Sequence, residues 1–169
     1  SHKAWLDAAK FLGCHSMRVN AQGDGGADEL RGRVVESCAR LAEHGQKLDV
    51  NVIIENHGGN SSDPEWLTRV MREVNSPWFG TLPDFGNFPA AIDRYAAIGK
   101  MMPFAKASVS AKTLKFDASG NEISTDYARM MKVVLDAGFR SYIGIECEGA
   151  WKQENELNHI RMAKAVIEK

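Results

Sequence analysis

The stretch Asp49-Val-Asn-Val-Ile-Ile-Glu-Asn-His-Gly-Gly59 decides how the rest of this chain is interpreted. Its β-branched apolar residues between positions 50 and 54 are typical of a strand that is buried on both faces, as in a parallel sheet. The strand then ends on Glu55, Asn56 and His57, and two glycines follow. Because ligands and catalytic groups collect at the carboxyl ends of parallel strands, this stretch predicts a functional site at a strand end.

The composition is that of one ordinary globular domain spanning residues 1–169. The chain is 44% hydrophobic and 25% charged, and its formal net charge of -1 provides no basic surplus for nucleic acid or acidic lipid. No apolar run approaches the roughly 20 residues that span a bilayer, so no membrane partner is expected, and we do not expect the first residues to act as a signal peptide. Cys14, Cys38 and Cys147 are odd in number and widely spaced. We therefore expect reduced, buried thiols in a cytoplasmic protein.

The hydrophobic pattern predicts one helix followed by five strand–helix units. The strands are expected at 15–20, 50–55, 79–82, 104–109 and 142–145, and the helices at 2–12, 28–45, 64–74, 90–98, 125–138 and 157–167. Gly45 and Gly138 are interpreted as helix stops, and Thr125 as a helix cap.

This alternation predicts an α/β fold whose parallel sheet is connected by right-handed crossovers. The sheet could be open and doubly wound, or it could be part of a (β/α)8 TIM barrel. A whole barrel needs about 250 residues, so a barrel of this length would lack roughly three βα units.

An acidic residue follows three of the predicted strands at the same relative position. Glu55, Asp84 and Glu146 would meet at one mouth, because the carboxyl ends of parallel strands converge there. Clustered carboxylates repel one another and need a cation or shared protons, and their hard oxygens suit Mg²⁺ or Mn²⁺. Any one acid could instead cap a helix or pair with a lysine. All three together favour a site.

Four segments resemble the sugar phosphate isomerase/epimerase superfamily, the xylose isomerase-like TIM barrels. They are Ile54-Glu-Asn-His57, Leu82-Pro-Asp-Phe-Gly-Asn87, Val109-Ser-Ala-Lys-Thr113 and Ile143-Gly-Ile-Glu-Cys-Glu-Gly149. The resemblance runs over nearly the whole chain in the family's order and spacing. It implies a partial (β/α)8 TIM barrel, with about five parallel strands, helices outside, and the first three βα units absent.

In that family a divalent metal is held by Glu, Asp, His and Glu at successive strand ends. Glu55, Asp84 and Glu146 resemble three of these ligands, so the resemblance implies a site for Mn, Mg, Co or Zn. The histidine position falls on Ser110, which is a weak neutral ligand. His57 is a candidate to compensate for the missing imidazole.

The resemblance further implies an enzyme that transfers a proton beside the carbonyl of a sugar or sugar phosphate. Glu55 and Glu146 would take and return this proton through an enediolate, while the metal polarises the substrate oxygens. Lys112 would stabilise the enediolate or meet an anionic substituent. The other residues expected to contact the sugar are His57, Asn87, Arg18, Ser110 and Trp151.

Two other functions are compatible with this fold. A zinc nuclease of the endonuclease-IV type needs several histidines around a metal cluster, whereas most histidines here lie away from the predicted strand ends. Alternatively, the chain is a truncated, non-catalytic barrel that binds a carbohydrate ligand or a partner chain. Because a barrel lacking three units has two open sheet edges, we expect self-association or a partner that covers them.

Overall fold

The apolar runs of the sequence form five strands that alternate with six helices within the described residues. The computed structural model describes residues 2–149 and 155–169. The strands are β1 (Ser16–Val19), β2 (Asn51–Glu55), β3 (Phe79–Leu82), β4 (Ser108–Thr113) and β5 (Tyr142–Cys147). The helices are α1 (His2–Phe11), α2 (Ala27–Leu48), α3 (Pro64–Val74), α4 (Arg94–Met101), α5 (Tyr127–Asp136) and α6 (Glu156–Ile167). Short 3-10 turns cover Gly59–Ser62 and Met102–Phe104.

The five strands are parallel and lie in two connected groups. One group has the order β1-β2-β3, and the other pairs β4 with β5. Single parallel bridges join them, from Thr81 to Ala105 and from Asp84 to Ser110. The predicted α/β fold with helices around a partial barrel is therefore confirmed, and the sheet is not closed: β1 and β5 are its edges.

The two edge strands approach each other at their amino ends. The ring of His15, just before β1, stacks on the ring of Tyr142 in β5, with centroids 5.1 Å apart and an interplanar angle of 10°. The carboxyl ends of the strands therefore surround one concave face, as in a barrel.

The hydrophobic core lies between the strands and the helices. Side chains alternate between the two faces of a strand, so Glu55 lies on the face of the sheet away from the helices. Val52 and Ile54 are fully buried and pack into the same cluster as Leu67 and Val70 of α3. Burial of each such side chain contributes roughly 1.5–3 kcal/mol. Because successive strand residues point to opposite faces, Glu55 points to the barrel interior.

Helix α2 continues through Gly45, so the prediction that this glycine stops the helix was wrong. The helix ends at Leu48, and Asp49 adopts the left-handed conformation at φ 58° that closes it. Gly45 is needed for packing, since a Cβ there would lie 2.4 Å from the carbonyl oxygen of Val50.

Strand β4 begins four residues later than the predicted start at position 104. The 3-10 turn at Met102–Phe104, which contains Pro103, and the positive φ of Ala107 (62°) delay the extended conformation until Ser108. As a result Ser110 and Lys112 lie inside the strand. They are separated by two positions, so both face the interior.

Two helix starts also differ from their predicted positions. Helix α4 begins at Arg94, not at position 90, because the Asp93 side chain accepts hydrogen bonds from its first turn. Helix α5 is capped by Asp126. The predicted cap, Thr125, instead accepts a hydrogen bond from Arg94 Nη1 at 2.7 Å.

The three cysteines are free, as expected for reduced thiols. Cys38 is buried, and burial raises its pKa to about 12. Cys14 is exposed, so the expectation that all three are buried was wrong for this residue. Among the described residues, no helix combines the length and apolar character needed to cross a bilayer.

Candidate metal centre

Three carboxylates meet at the carboxyl ends of the strands, as the sequence predicts. Glu55 ends β2, Asp84 lies two residues beyond β3, and Glu146 lies near the end of β5. One oxygen from each lies within 4.8 Å of the others. The side chains of Glu55 and Asp84 are 1% and 0% exposed, whereas that of Glu146 is 39% exposed. We call these three residues the acid cluster.

Two oxygens of the acid cluster are buried without a hydrogen bond, namely Glu55 Oε2 and Asp84 Oδ2. Arg18 Nη2 lies 2.6 Å from Glu55 Oε2 as an ion pair, but not in the geometry of a hydrogen bond. Arg18 supplies a charge partner for Glu55, whereas Asp84 Oδ2 has no hydrogen-bond partner, and buried polar atoms normally have one. Hard carboxylate oxygens at this spacing fit a divalent cation such as Mg²⁺ or Mn²⁺.

The pKa values of the three acids are shifted in different directions. Burial raises the pKa of Glu55 and that of Asp84, because the charged form loses its hydration. Burial also acts on Glu146, but hydrogen bonds from Lys112 and Ser110 outweigh it and lower the pKa of that carboxyl. The buried acids therefore bind protons more readily than the exposed one.

Lys112 places a buried ammonium beside the acid cluster. Its Nζ lies 2.8 Å from Glu146 Oε1, 2.7 Å from Glu148 Oε2 and 3.0 Å from Asn87 Oδ1, and its side chain is 3% exposed. Asp84 Oδ2 is farther away, at 3.9 Å. Burial alone would lower the lysine pKa, but the hydrogen bonds to Glu146 and Glu148 raise it above its usual value. The lysine is therefore a permanent cation of the site.

Asp84 is held in place by its neighbours on both sides. Its backbone N–H donates to Asn56 Oδ1 at 2.7 Å, and its carbonyl accepts from Asn56 Nδ2 at 3.0 Å. Its Oδ1 accepts from the backbone N–H groups of Gly86 and Asn87, at 2.9 and 2.8 Å. These four bonds fix the carboxylate and leave Oδ2 directed toward the cluster.

Two residues of this arrangement were missed as site residues in the sequence. Asn56 directly follows Glu55, and its position at the strand end was the available signal for a positioning role. Glu148 follows Glu146 by two residues, which on an extended strand places both on the same face. Its contact with Lys112 follows from that spacing.

Most of the other predicted site residues are brought to the same mouth. Asn87 contacts both Lys112 and, at 3.5 Å, Glu55 Oε1. Ser110, at the position of the family's histidine, donates to Glu146 Oε2 at 2.8 Å. Arg18 donates to Asn20 Oδ1 at 3.1 Å while its guanidinium faces Glu55.

His57 does not join the acid cluster. It is exposed, and its backbone N–H donates to Ser61 Oγ at 2.9 Å. The candidate metal ligands of the described residues are therefore carboxylates without an imidazole, unlike the histidine-rich site of a zinc nuclease. Trp151, another predicted sugar contact, lies outside the described residues.

Solved structures share this fold at low sequence identity. A xylose isomerase domain protein from Planctomyces limnophilus has a TM-score of 0.74 at 14% identity over 97% of this chain. The 3-keto-D-glucoside 4-epimerase of E. coli has a TM-score of 0.78 at 13% identity over 99% of this chain. A xylose isomerase-like TIM barrel protein from Mycobacterium smegmatis, solved with magnesium, has a TM-score of 0.65 at 16% identity over 98%.

The matched structures are longer than this chain. It spans 62% of the Planctomyces protein, 69% of the E. coli epimerase and 66% of the Mycobacterium protein. No curated protein matches the sequence. The sequence model of one family, described as xylose isomerase-like TIM barrel, matches residues 2–166. The chain therefore belongs to the xylose isomerase-like TIM barrel family.

Proposed function

We propose that this chain carries the active site of a divalent-metal-dependent isomerase or epimerase that acts on a sugar or sugar phosphate. The observation that carries the proposal is the convergence of the carboxylates of Glu55, Asp84 and Glu146, in which buried oxygens of Glu55 and Asp84 lack hydrogen bonds. Membership of the family supports it, as do the epimerase activity in the name of the E. coli protein and the magnesium in the Mycobacterium structure.

Glu55, Asp84 and Glu146 would hold the cation, which when bound supplies a Lewis acid that polarises substrate oxygens. Glu55 and Glu146 are also the proposed proton carriers. One of them would accept a proton from the carbon next to the carbonyl, and the other would return one.

The remaining side chains at the mouth are proposed to bind the sugar. Arg18 is 42% exposed and lies beside Glu55, so it can reach a hydroxyl without leaving its ion pair. Asn87 and Ser110 present an amide and a hydroxyl next to the carboxylates. Lys112 offers its charge to the developing enediolate, and His57 lies exposed beyond the end of β2.

The first test is a calorimetric titration of the metal-stripped chain with Mn²⁺. We expect near-stoichiometric binding that Glu146→Gln abolishes, because the amide keeps the shape of the ligand but loses its charge. Glu43→Gln, which removes one exposed carboxylate from α2 outside the site, is the matched control and should bind normally. Equal binding by all three proteins would contradict a metal site at the acid cluster.

The second test follows the proton. A panel of ketoses and their phosphates is incubated in D₂O with the Mn²⁺-loaded chain, and deuterium is located by NMR. We expect exchange at the carbon next to the carbonyl, lost in Glu55→Gln and in Glu146→Gln. Exchange that survives in both variants would exclude the two-carboxylate mechanism.

The open edges favour a second candidate function, a barrel that binds a partner chain. Near β1, Trp5 and Leu12 are 68% and 73% exposed, and near β5, Tyr142 and Leu157 are 67% and 70% exposed. Exposed strand edges with apolar neighbours are usually covered. We therefore propose that the chain self-associates or binds a partner there, and sedimentation velocity should show a concentration-dependent oligomer. A strict monomer at all concentrations would argue against self-association.

A further inference from the structure

The acid cluster already contains a cation, and its position conflicts with that of a bound metal. Both oxygens of Glu146 are engaged: Oε1 with Lys112 Nζ at 2.8 Å and Oε2 with Ser110 Oγ at 2.8 Å. Glu55 Oε2 and Asp84 Oδ2, by contrast, have no hydrogen-bond partner. Asp84 Oδ2 is therefore open to a divalent cation, and Glu55 Oε2 faces the ion pair with Arg18, whose side chain is 42% exposed. The third ligand, Glu146, is held by the buried ammonium of Lys112.

We propose that Lys112 is an internal counter-ion that competes with the divalent metal for Glu146, and that Glu148 and Asn87 retain it when the metal binds. The inference rests on the proposed metal site and concerns what limits its affinity. It assigns Lys112 and Glu148 a role in metal selection that is separate from any contact with substrate.

The electrostatic argument starts from the distances. Lys112 Nζ lies 2.8 Å from Glu146 and 3.9 Å from Asp84, two of the three proposed ligands. A divalent cation bound to these carboxylates would lie close to the ammonium, and like charges repel strongly in a partly buried site. The metal and the ammonium therefore cannot both lie close to Glu146 without a large cost, and the side chain of Lys112 has to shift.

Glu148 gives the lysine a second position. The ammonium of Lys112 donates hydrogen bonds to Asn87 and Glu148 and forms an ion pair with Glu146. When the bond to Glu146 is given up, the bonds to Glu148 and Asn87 remain. The side chain of Glu148 is 60% exposed, so it can shift and draw the ammonium away from Glu146 while the ammonium stays at the barrel mouth. Removal of Glu148 would leave Lys112 more firmly bound to Glu146.

The test is Mn²⁺ calorimetry on Lys112→Met, with Lys115→Met as the matched control. Lys115 lies three residues farther along and is exposed, so its replacement removes the same charge outside the site. We expect Lys112→Met to bind Mn²⁺ at least about tenfold more tightly than the wild type, which corresponds to ~1.4 kcal/mol. Lys115→Met should match the wild type, and Glu148→Gln should bind more weakly.

The outcomes separate this inference from the proposed function. Wild-type binding with unchanged or weaker binding by Lys112→Met overturns the counter-ion role and leaves the metal site standing. Binding by Lys112→Met alone supports the counter-ion role. No binding by either protein refutes both the metal site and this inference.

A wild-type measurement covers the case in which Lys112→Met does not fold, as judged by circular dichroism. Lysine acetylation is mapped by mass spectrometry with and without Mn²⁺. The ammonium of Lys112 is now buried, so its displacement toward exposed Glu148 should raise the acetylation rate, while that of Lys115 stays constant. An unchanged rate for Lys112 under saturating Mn²⁺ would overturn the inference.

Discussion

Replacement of Gly45 by alanine should destabilise the protein, although Gly45 lies inside helix α2. In an unobstructed helix, alanine in place of glycine stabilises by about 1 kcal/mol. At Gly45, however, the new Cβ would lie 2.4 Å from the carbonyl oxygen of Val50. Val50 is buried, and its backbone N–H donates to the Gly45 carbonyl at 3.0 Å, so the two segments cannot separate freely.

The opposing effects can be compared in magnitude. Overpacking a tight contact costs typically 1–3 kcal/mol, and here a backbone atom must move. A 2.4 Å approach to a backbone atom belongs in the upper part of that range, at roughly 2–3 kcal/mol. Set against about 1 kcal/mol of helix preference, the net loss in the free energy of unfolding should be about 1–2 kcal/mol. Gly32→Ala is the matched control, since Gly32 lies in the same helix, is exposed, and has open space around its Cβ position. It should stabilise by about 0.5–1 kcal/mol.

The assay is urea unfolding followed by circular dichroism, in EDTA and at one protein concentration. The midpoint should fall for Gly45→Ala and rise for Gly32→Ala, with unchanged slopes. If Gly45→Ala is as stable as the wild type, the contact with Val50 does not limit this position. If both variants lose stability equally, the cause lies in the helix as a whole and the reasoning from packing fails.

Two further predictions concern the acid cluster. The pKa of Asp84 is raised on folding, so its contribution to stability is present below the usual aspartate pKa of about 3.9 and is lost as pH rises through the folded value. The variant Asp84→Asn keeps the Oδ1 acceptor but carries no charge. Its free energy of unfolding in EDTA at pH 7 should therefore exceed that of the wild type by on the order of 1 kcal/mol. Equal stability of the two proteins at pH 7 would refute this. Ser110→His should tighten Mn²⁺ binding by about tenfold in calorimetry, or ~1.4 kcal/mol, because an imidazole is a better ligand than a hydroxyl. The control Ser124→His, at an exposed position, should not change the Mn²⁺ affinity. Tighter Mn²⁺ binding by both variants would indicate nonspecific binding to the added histidine.

The strand ends were predictable because their signal is local. An apolar run that stops on an acid is visible in the sequence, and Glu55, Asp84 and Glu146 do converge. The error at Gly45 arose because the conformational preference of glycine and its role in close packing look identical in a sequence. Only the proximity of Val50 distinguishes them.

The boundaries of β4 and the partners of Lys112 depended on nonlocal information. Apolar residues at 104 and 105 suggested a strand, yet Pro103 and the backbone of Ala107 put a turn there first. Lys112 was predicted to meet a substrate anion, and in the structure its bond to Glu148 spans 36 residues, from β4 to the end of the next strand. Such pairings follow from register, which hydrophobic pattern alone leaves open.

The order of the strands also determines when the acid cluster is completed during synthesis. Each helix packs mainly on its neighbours in the chain, so the units can form successively as the polypeptide leaves the ribosome at about 5–20 residues per second. Glu55 and Asp84 emerge early, whereas Lys112 and Glu146 come from the last two strands. The nascent chain therefore holds Asp84 without the ammonium of Lys112 until β4 is made, and this part of the fold should gain its final rigidity only after β5 has emerged.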